Sequence, residues 1–325
     1  MSNVEARPVE TVCEGGPTRP APEVLEPRLV PLGGARAVPV RRTLPQRERT
    51  LIGAWCFLDH YGPDETAVTG GSSIPGHPHT GLQTVSWLFE GRIEHRDTTG
   101  AHAVVRPGEV NLMTAGHGIA HSEVSTADSR ILHGVQLWVA LPEPHRDAPP
   151  GFESHVPRPV VGDGSRVLVF VGTLAGESSP VTTFSPLVGA EIGLDPGATL
   201  RLAVEPGFEH GVLVDAGPVA VDGHEVGRGR LLYRPPGSGE LVLEATGDGP
   251  ARVVLLGGTP FGEQIVMWWN FVGRTHDEVA GYRAQWEAER SGGVVGSRRF
   301  GTFPPAWADV LPAPELPNAR LRPRG

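Results

Sequence analysis

The chain has 325 residues, 28 basic and 37 acidic side chains, 44 glycines, 33 prolines and 39% hydrophobic residues. At roughly 150 residues per domain this length points to two domains, enough for a buried core without disulfides or a structural metal. A net charge of -9 without any basic tract argues against nucleic-acid binding, no run approaches the ~18 apolar residues of a membrane span, and the first residues lack the basic-then-apolar pattern of a secretory signal.

Residues 1–26 are rich in Pro, Glu and Gly and show little apolar periodicity, so a mobile leader is expected there. From Arg28 the texture changes to strand-length runs such as Thr84-Val85-Ser86-Trp87-Leu88-Phe89 and Leu132-His133-Gly134-Val135-Gln136-Leu137-Trp138-Val139. Turn signals recur about every 8 to 12 residues, the spacing of an all-β sandwich or barrel. Cys56 lies within the apolar run Leu51–Leu58 and is expected to be a buried small hydrophobe, whereas Cys13 falls in the leader. Two cysteines make no disulfide framework, and a reducing cytoplasm is the expected location.

Four prolines within residues 141–150 cannot continue a central strand and mark a hinge. Strand texture then resumes, for example in Arg166-Val167-Leu168-Val169-Phe170-Val171 and Arg252-Val253-Val254-Leu255-Leu256. The expected organisation is a leader (1–26), a first β-barrel (27–145), a second β-barrel (146–291) and an irregular tail (292–325). One helix is predicted inside the second unit. Thr275-His276-Asp277-Glu278 has the spacing of a capping box, and Val279, Tyr282 and Trp286 follow as an apolar stripe, with Glu287, Glu289 and Arg290 among the polar positions.

The chemistry is concentrated in two short segments. In Gly76-His77-Pro78-His79-Thr80-Gly81 the two histidines are i and i+2, which in a strand places both imidazoles on one face. In His121-Ser122-Glu123 a histidine and a carboxylate repeat that spacing. If the two strands pair, His77, His79, His121 and Glu123 form a 3-His/1-carboxylate set with open positions, which suits Fe(II), Mn(II), Ni(II) or Cu(II). Structural zinc favours thiolates, which these segments do not supply. The other histidines read as structural: His60 as a loop cap beside Asp59, His95, His102 and His133 on or beside strands, and Asp97 with Arg96 as a turn or ion pair.

Several strings resemble the pirin family of cupin proteins. They are Phe57-Leu58-Asp59-His60-Tyr61-Gly62-Pro63, the stretch from His77 to Gly91, Ile93-Glu94-His95-Arg96-Asp97-Thr98-Thr99-Gly100, the stretch from Met113 to Glu123, and Ile265-Val266-Met267-Trp268-Trp269-Asn270-Phe271. The resemblance spans roughly residues 28–290. It implies a bicupin, two tandem double-stranded β-helix barrels with a short C-terminal helix. It also implies one metal, usually iron, held in the first barrel by His77, His79, His121 and Glu123, and a second barrel without a site, in keeping with the isolated His210 and His224. Gln83 stands where many cupins carry a carboxylate, and His117 where pirins often carry arginine.

The function implied by the resemblance is an Fe(II)-dependent dioxygenase acting on flavonols such as quercetin, with Mn, Ni, Cu or Zn as alternative metals. Its partners are a small aromatic polyphenol and O2, with no nucleic acid and no membrane, and Glu123 is the expected catalytic base. The alternative is a non-enzymatic, metal- and redox-dependent regulator that acts through a protein partner.

Overall fold

The computed structural model describes residues 11–12, 21–32, 38–292, 298–307 and 309–323. Cys13 and most of the expected leader lie outside these residues. The described chain folds as two barrels of the same design. In the first, a seven-stranded sheet runs in the order Gly151–His155, Val110–Thr114, Leu82–Glu90, Ile131–Ala140, Trp55–Glu65, Val38–Leu44, Arg28–Leu32. It faces a four-stranded sheet of Ser73–His79, Ile119–Ser125, Ile93–Asp97 and His102–Val105. The second barrel repeats the seven-plus-four arrangement, its large sheet centred on Leu187–Leu194, Ala251–Gly258 and Glu209–Ala216. This is the tandem cupin architecture that the sequence implies.

The barrels exchange strands. Glu23–Leu25, placed in the leader by its composition, pairs with Leu231–Arg234 at the edge of the second large sheet, and Leu25 is buried there. Gly151–His155 follows the hinge but pairs with Val110–Thr114 of the first barrel. Between the barrels the two large sheets pack face to face. One apolar cluster includes Leu58, Val85, Trp87 and Leu137 from the first and Phe170, Leu213, Val254 and Leu256 from the second. Strands at this contact are covered on both faces, so Trp55–Tyr61 reads as an almost continuous apolar run rather than an alternation.

The barrel interiors differ in a way that bears on function. The second is filled by one apolar cluster that includes Val169, Ala190, Val212, Val221, Leu232 and Leu255. The buried apolar residues of the first divide into two clusters. Ile119 belongs to one, Ile74 and Ile93 to the other, and on these same three strands the next inward positions are His121, His77 and His95. Polar side chains occupy the gap.

The helix forms as predicted, His276–Arg290, with the Thr275 hydroxyl accepting from the Glu278 amide. The Glu278 carboxylate reaches back to the Arg274 amide, one residue before the cap. The tail has little regular structure, yet Phe300, Ala313 and Leu321 are buried with Val279 and Trp286. No helix among the described residues is long and apolar enough to cross a membrane.

Candidate metal centre

The strand Ser73–His79 pairs antiparallel with Ile119–Ser125 in the register His121 opposite His77 and Ile119 opposite His79. On its other side Ile119–Ser125 pairs with Ile93–Asp97, placing His121 opposite Asp97 and Glu123 opposite His95. Three couples at i and i+2 therefore present their side chains on one face of the small sheet. The tight turn after His79 depends on Gly81 at φ +68°, where a Cβ would lie 2.3 Å from the Val272 carbonyl oxygen.

His77, His79 and His121 converge. Their ring centroids are 4.3 Å apart for His77 and His121, 5.0 Å for His79 and His121, and 5.1 Å for His77 and His79. One nitrogen from each lies within 4.8 Å of the other two, and all three side chains are buried. Their hydrogen bonds settle which nitrogen faces inward. His77 Nδ1 donates to the Pro75 carbonyl at 2.8 Å, and His79 Nδ1 to the Asn270 carbonyl at 3.2 Å. Because a carbonyl only accepts, Nδ1 carries the proton in both, and Nε2 is left as a lone-pair donor. Nε2 of His77 and of His121 is buried without a hydrogen-bond partner among the described residues. Such an arrangement is costly unless a ligand completes it, and it fits a metal ion.

Electrostatics favour the neutral imidazoles that a metal requires. Burial pushes the His77 pKa down to about 4. Burial, reinforced by the neighbouring histidines, holds His79 and His121 well below the ordinary histidine value. Glu123 is buried on the same strand but is not part of the close trio. A β-bulge falls between His121 and Glu123 where they meet Ser73–His79, so Glu123 sits opposite Ile74 there.

Two elements far away in sequence support the trio. Asn270, whose carbonyl orients His79, belongs to a strap after the second barrel, where Val272 N donates to the Thr80 carbonyl. Trp138 meets the His79 ring edge-on at 5.2 Å. The nearest polar neighbour of His121 is His95, at 3.3 Å between their Nδ1 atoms, and His95 Nε2 in turn lies 3.0 Å from Asp97 Oδ2. His95 is thus tied to the centre rather than a purely structural histidine. Arg96 pairs with Glu94, while Asp97 Oδ1 holds the following turn. The signal was present in the sequence: His95-Arg96-Asp97 repeats the i, i+2 spacing of the other two couples.

His60 does not cap a loop. With His133 it lies buried between the barrels, their Nε2 atoms 2.7 and 2.6 Å from Asp215 Oδ1. The three have the composition of a metal site, but their hydrogen bonds oppose one. Arg41 Nε donates to His60 Nδ1, so His60 Nε2 carries the proton and donates to Asp215. Arg252 Nε binds the other Asp215 oxygen at 2.7 Å. Burial alone would raise the Asp215 carboxyl, but the hydrogen bonds from His133 and His60 and the charge of Arg252 hold it well below the ordinary range. This is a salt-bridged clasp.

Gln83 donates to Thr114 Oγ1 and to the Thr182 carbonyl, so it links the first barrel to a loop beyond the hinge. His117 is half-buried, and its carbonyl accepts from Arg299 of the tail. A surface cleft of about 790 Å³ is lined by Glu65, Thr66, Gly71, Glu90, Ser125 and Arg130 among others, and by none of the four candidate ligands.

Comparison with known proteins gives two family matches, pirin over residues 37–139 and the pirin C-terminal cupin domain over residues 189–292. The chain is 42% identical over 98% of both chains to a Pseudomonas aeruginosa protein named "Putative quercetin 2,3-dioxygenase". It is 36% identical to a pirin-like protein of Caulobacter vibrioides, over 77% of this chain and 88% of that one. Among solved structures, a quercetin 2,3-dioxygenase from Acinetobacter baumannii superposes with a TM-score of 0.85 at 37% identity, covering 94% of this chain and 98% of its own.

Proposed function

This chain belongs to the pirin family, and from that premise we propose that it is a metal-dependent dioxygenase that opens the central ring of flavonols such as quercetin. The observation that carries the reading is the convergence of three buried imidazoles, one nitrogen of each within 4.8 Å of the other two, while their Nδ1 atoms hold protein partners. His77, His79 and His121 would hold the metal, with Glu123 as the fourth ligand. Fe(II) is our first choice, and Mn, Ni, Cu or Zn are alternatives that the donor set also admits. When bound, the metal supplies a Lewis acid with open positions for O2 and for a substrate that chelates through neighbouring oxygens.

The chain's own residues would do the rest. Burial keeps the imidazoles neutral and excludes bulk water. Glu123, partly detached, takes the proton of the flavonol 3-hydroxyl on its carboxylate. In the overall reaction both atoms of O2 are retained in the ring-opened product, and one ring carbon leaves as CO. Cys56 is buried, with its thiol 3.6 Å from the Trp138 carbonyl, and we place the enzyme in a reducing cytoplasm.

The test is anaerobic reconstitution with Fe(II), followed by quercetin absorbance and CO release on admitting air. We expect metal-dependent loss of the flavonol band with CO, abolished together with metal binding in His121→Ala. Glu123→Gln should retain iron and lose most turnover. Stoichiometric iron without turnover would instead favour the regulatory reading.

A further inference from the structure

We infer that His95 and Asp97 are positioning residues for His121, forming a chain from carboxylate to imidazole to imidazole that fixes the tautomer of His121 and strengthens it as a donor. The inference rests on the reading of His77, His79 and His121 as metal ligands, and it concerns residues outside that set.

The protons can be assigned from one end of the chain. Asp97 Oδ1 accepts from the Thr99 amide at 2.8 Å, the Thr99 hydroxyl at 2.6 Å and the Ala101 amide at 3.2 Å. These bonds lock the carboxylate in place and leave Oδ2 facing His95 Nε2 at 3.0 Å. A carboxylate in this setting only accepts, so His95 Nε2 carries a proton. In the neutral ring the Nδ1 of His95 is then a lone pair, and it faces His121 Nδ1 at 3.3 Å. His121 Nδ1 must therefore carry the proton, which leaves its Nε2 as the lone pair that is buried without a partner. Phe152 stacks on the His95 ring at 4.5 Å and 24°, fixing its plane. His95 is 4% exposed and Asp97 1%.

A turn residue would need only Oδ1, so the Oδ2 bond to a buried histidine lies outside that role. The three candidate ligands are also treated unequally. His77 and His79 donate to neutral backbone carbonyls, whereas His121 donates to an imidazole backed by a full negative charge. Charge-assisted bonds of this kind are the stronger ones and make the ligating nitrogen more basic. His121 is thus the most electron-rich of the three donors.

The experiment compares wild type, Asp97→Asn and Thr99→Ala in anaerobic Fe(II) titration against a competing chelator, and in the Fe(III)/Fe(II) midpoint potential. Asp97→Asn removes the charge at constant shape. It should weaken Fe(II) binding about ten- to a hundred-fold and move the potential upward, because the oxidised ion loses more from a poorer donor. Thr99→Ala removes one of the three bonds to Oδ1 but keeps both amide bonds and the negative charge facing His95, so Fe(II) affinity should stay within about two-fold of wild type and the potential should not move. Should Asp97→Asn not fold, His95→Gln, which cuts the link to Asp97 but keeps an acceptor for His121, must show the same upward shift. An unchanged potential and affinity in the folded variant overturns the inference, as does an equal effect of Thr99→Ala. Failure of the wild type to bind Fe(II) overturns the metal reading itself, and is seen in a separate arm.

Discussion

His210 lies opposite Arg234 in the second barrel, two residues before Val212 and on the same face. It is 1% exposed, and neither ring nitrogen has a hydrogen-bond partner among the described residues. Burial, with the charge of Arg234 adding to it, pushes its pKa down to about 4. An unfolded histidine takes its proton near 6.5. Below that pH the unfolded chain binds the extra proton and the folded one does not. The contribution of His210 to stability is therefore full above pH 6.5, falls as the pH drops towards 4, and is flat below. The difference amounts to about 3 kcal/mol. Unfolding midpoints measured across this window should fall less steeply in His210→Leu than in wild type; parallel curves would mean that the residue stays hydrated or finds a partner. At this scale the sequence spoke clearly where the chemistry is local. The convergence of His77, His79 and His121 was legible because residues two apart on one strand face must point the same way, whereas Glu123 lies outside that close trio. His60 and His133 were not, since their partner Asp215 is 155 and 82 residues away and no short-range pattern announces it.

The C-terminal helix shows how an element can be read correctly and its partner missed. Its cap and its stripe of Val279, Tyr282 and Trp286 follow from sequence, with Glu289 among the polar positions. In the structure Glu289 is 1% exposed and accepts from the Arg299 amide at 2.7 Å and the Phe300 amide at 3.1 Å. The spacing 279, 282, 286, 289 puts it on the buried face, so periodicity marked the position while residue type misled. The tail it anchors continues to Leu311, whose amide donates to the Gly76 carbonyl next to His77 at 2.7 Å. Glu289→Ala leaves the buried Phe300 amide unsatisfied, at about 1–3 kcal/mol, and frees the part-buried Arg299 amide as well. Local opening of the tail should follow. Amide exchange at Phe300 and Leu311 should accelerate by ten-fold or more in the variant, as a loss of ~1.4 kcal/mol already gives that factor. Protection unchanged at Leu311 would show that the tail is held by Trp286 and Phe300 alone.

The two-barrel plan was legible because period-two strands and turn signals run through both halves of the chain, although the strand after the proline-rich stretch still belongs to the first barrel. The way the barrels join was not, because a strand buried on both faces loses the alternation that would assign it a side. At the same contact between the barrels sits the clasp of His60 and His133 from one barrel, Asp215 and Arg252 from the other. Asp215 is fully buried. Its removal would leave two imidazoles and a guanidinium facing each other without the charge that holds them. Breaking a buried network from one side costs about 3–5 kcal/mol, whereas replacing the whole network with apolar residues of similar volume is often neutral or better. Asp215→Ala should therefore lower the denaturant midpoint strongly, and His60→Leu combined with His133→Leu and Asp215→Leu should recover most of the loss. Arg252 can follow the change because it is partly exposed and already stacks over Phe89 at 4.2 Å. Metal binding in the first barrel should survive in the triple variant, since the clasp shares no side chain with His77, His79, His121 or the His95–Asp97 chain. A triple variant as unstable as Asp215→Ala would assign the cost to lost packing rather than to stranded charge. One that recovers stability but loses metal binding would mean that the clasp sets the geometry of the metal centre across the barrel contact.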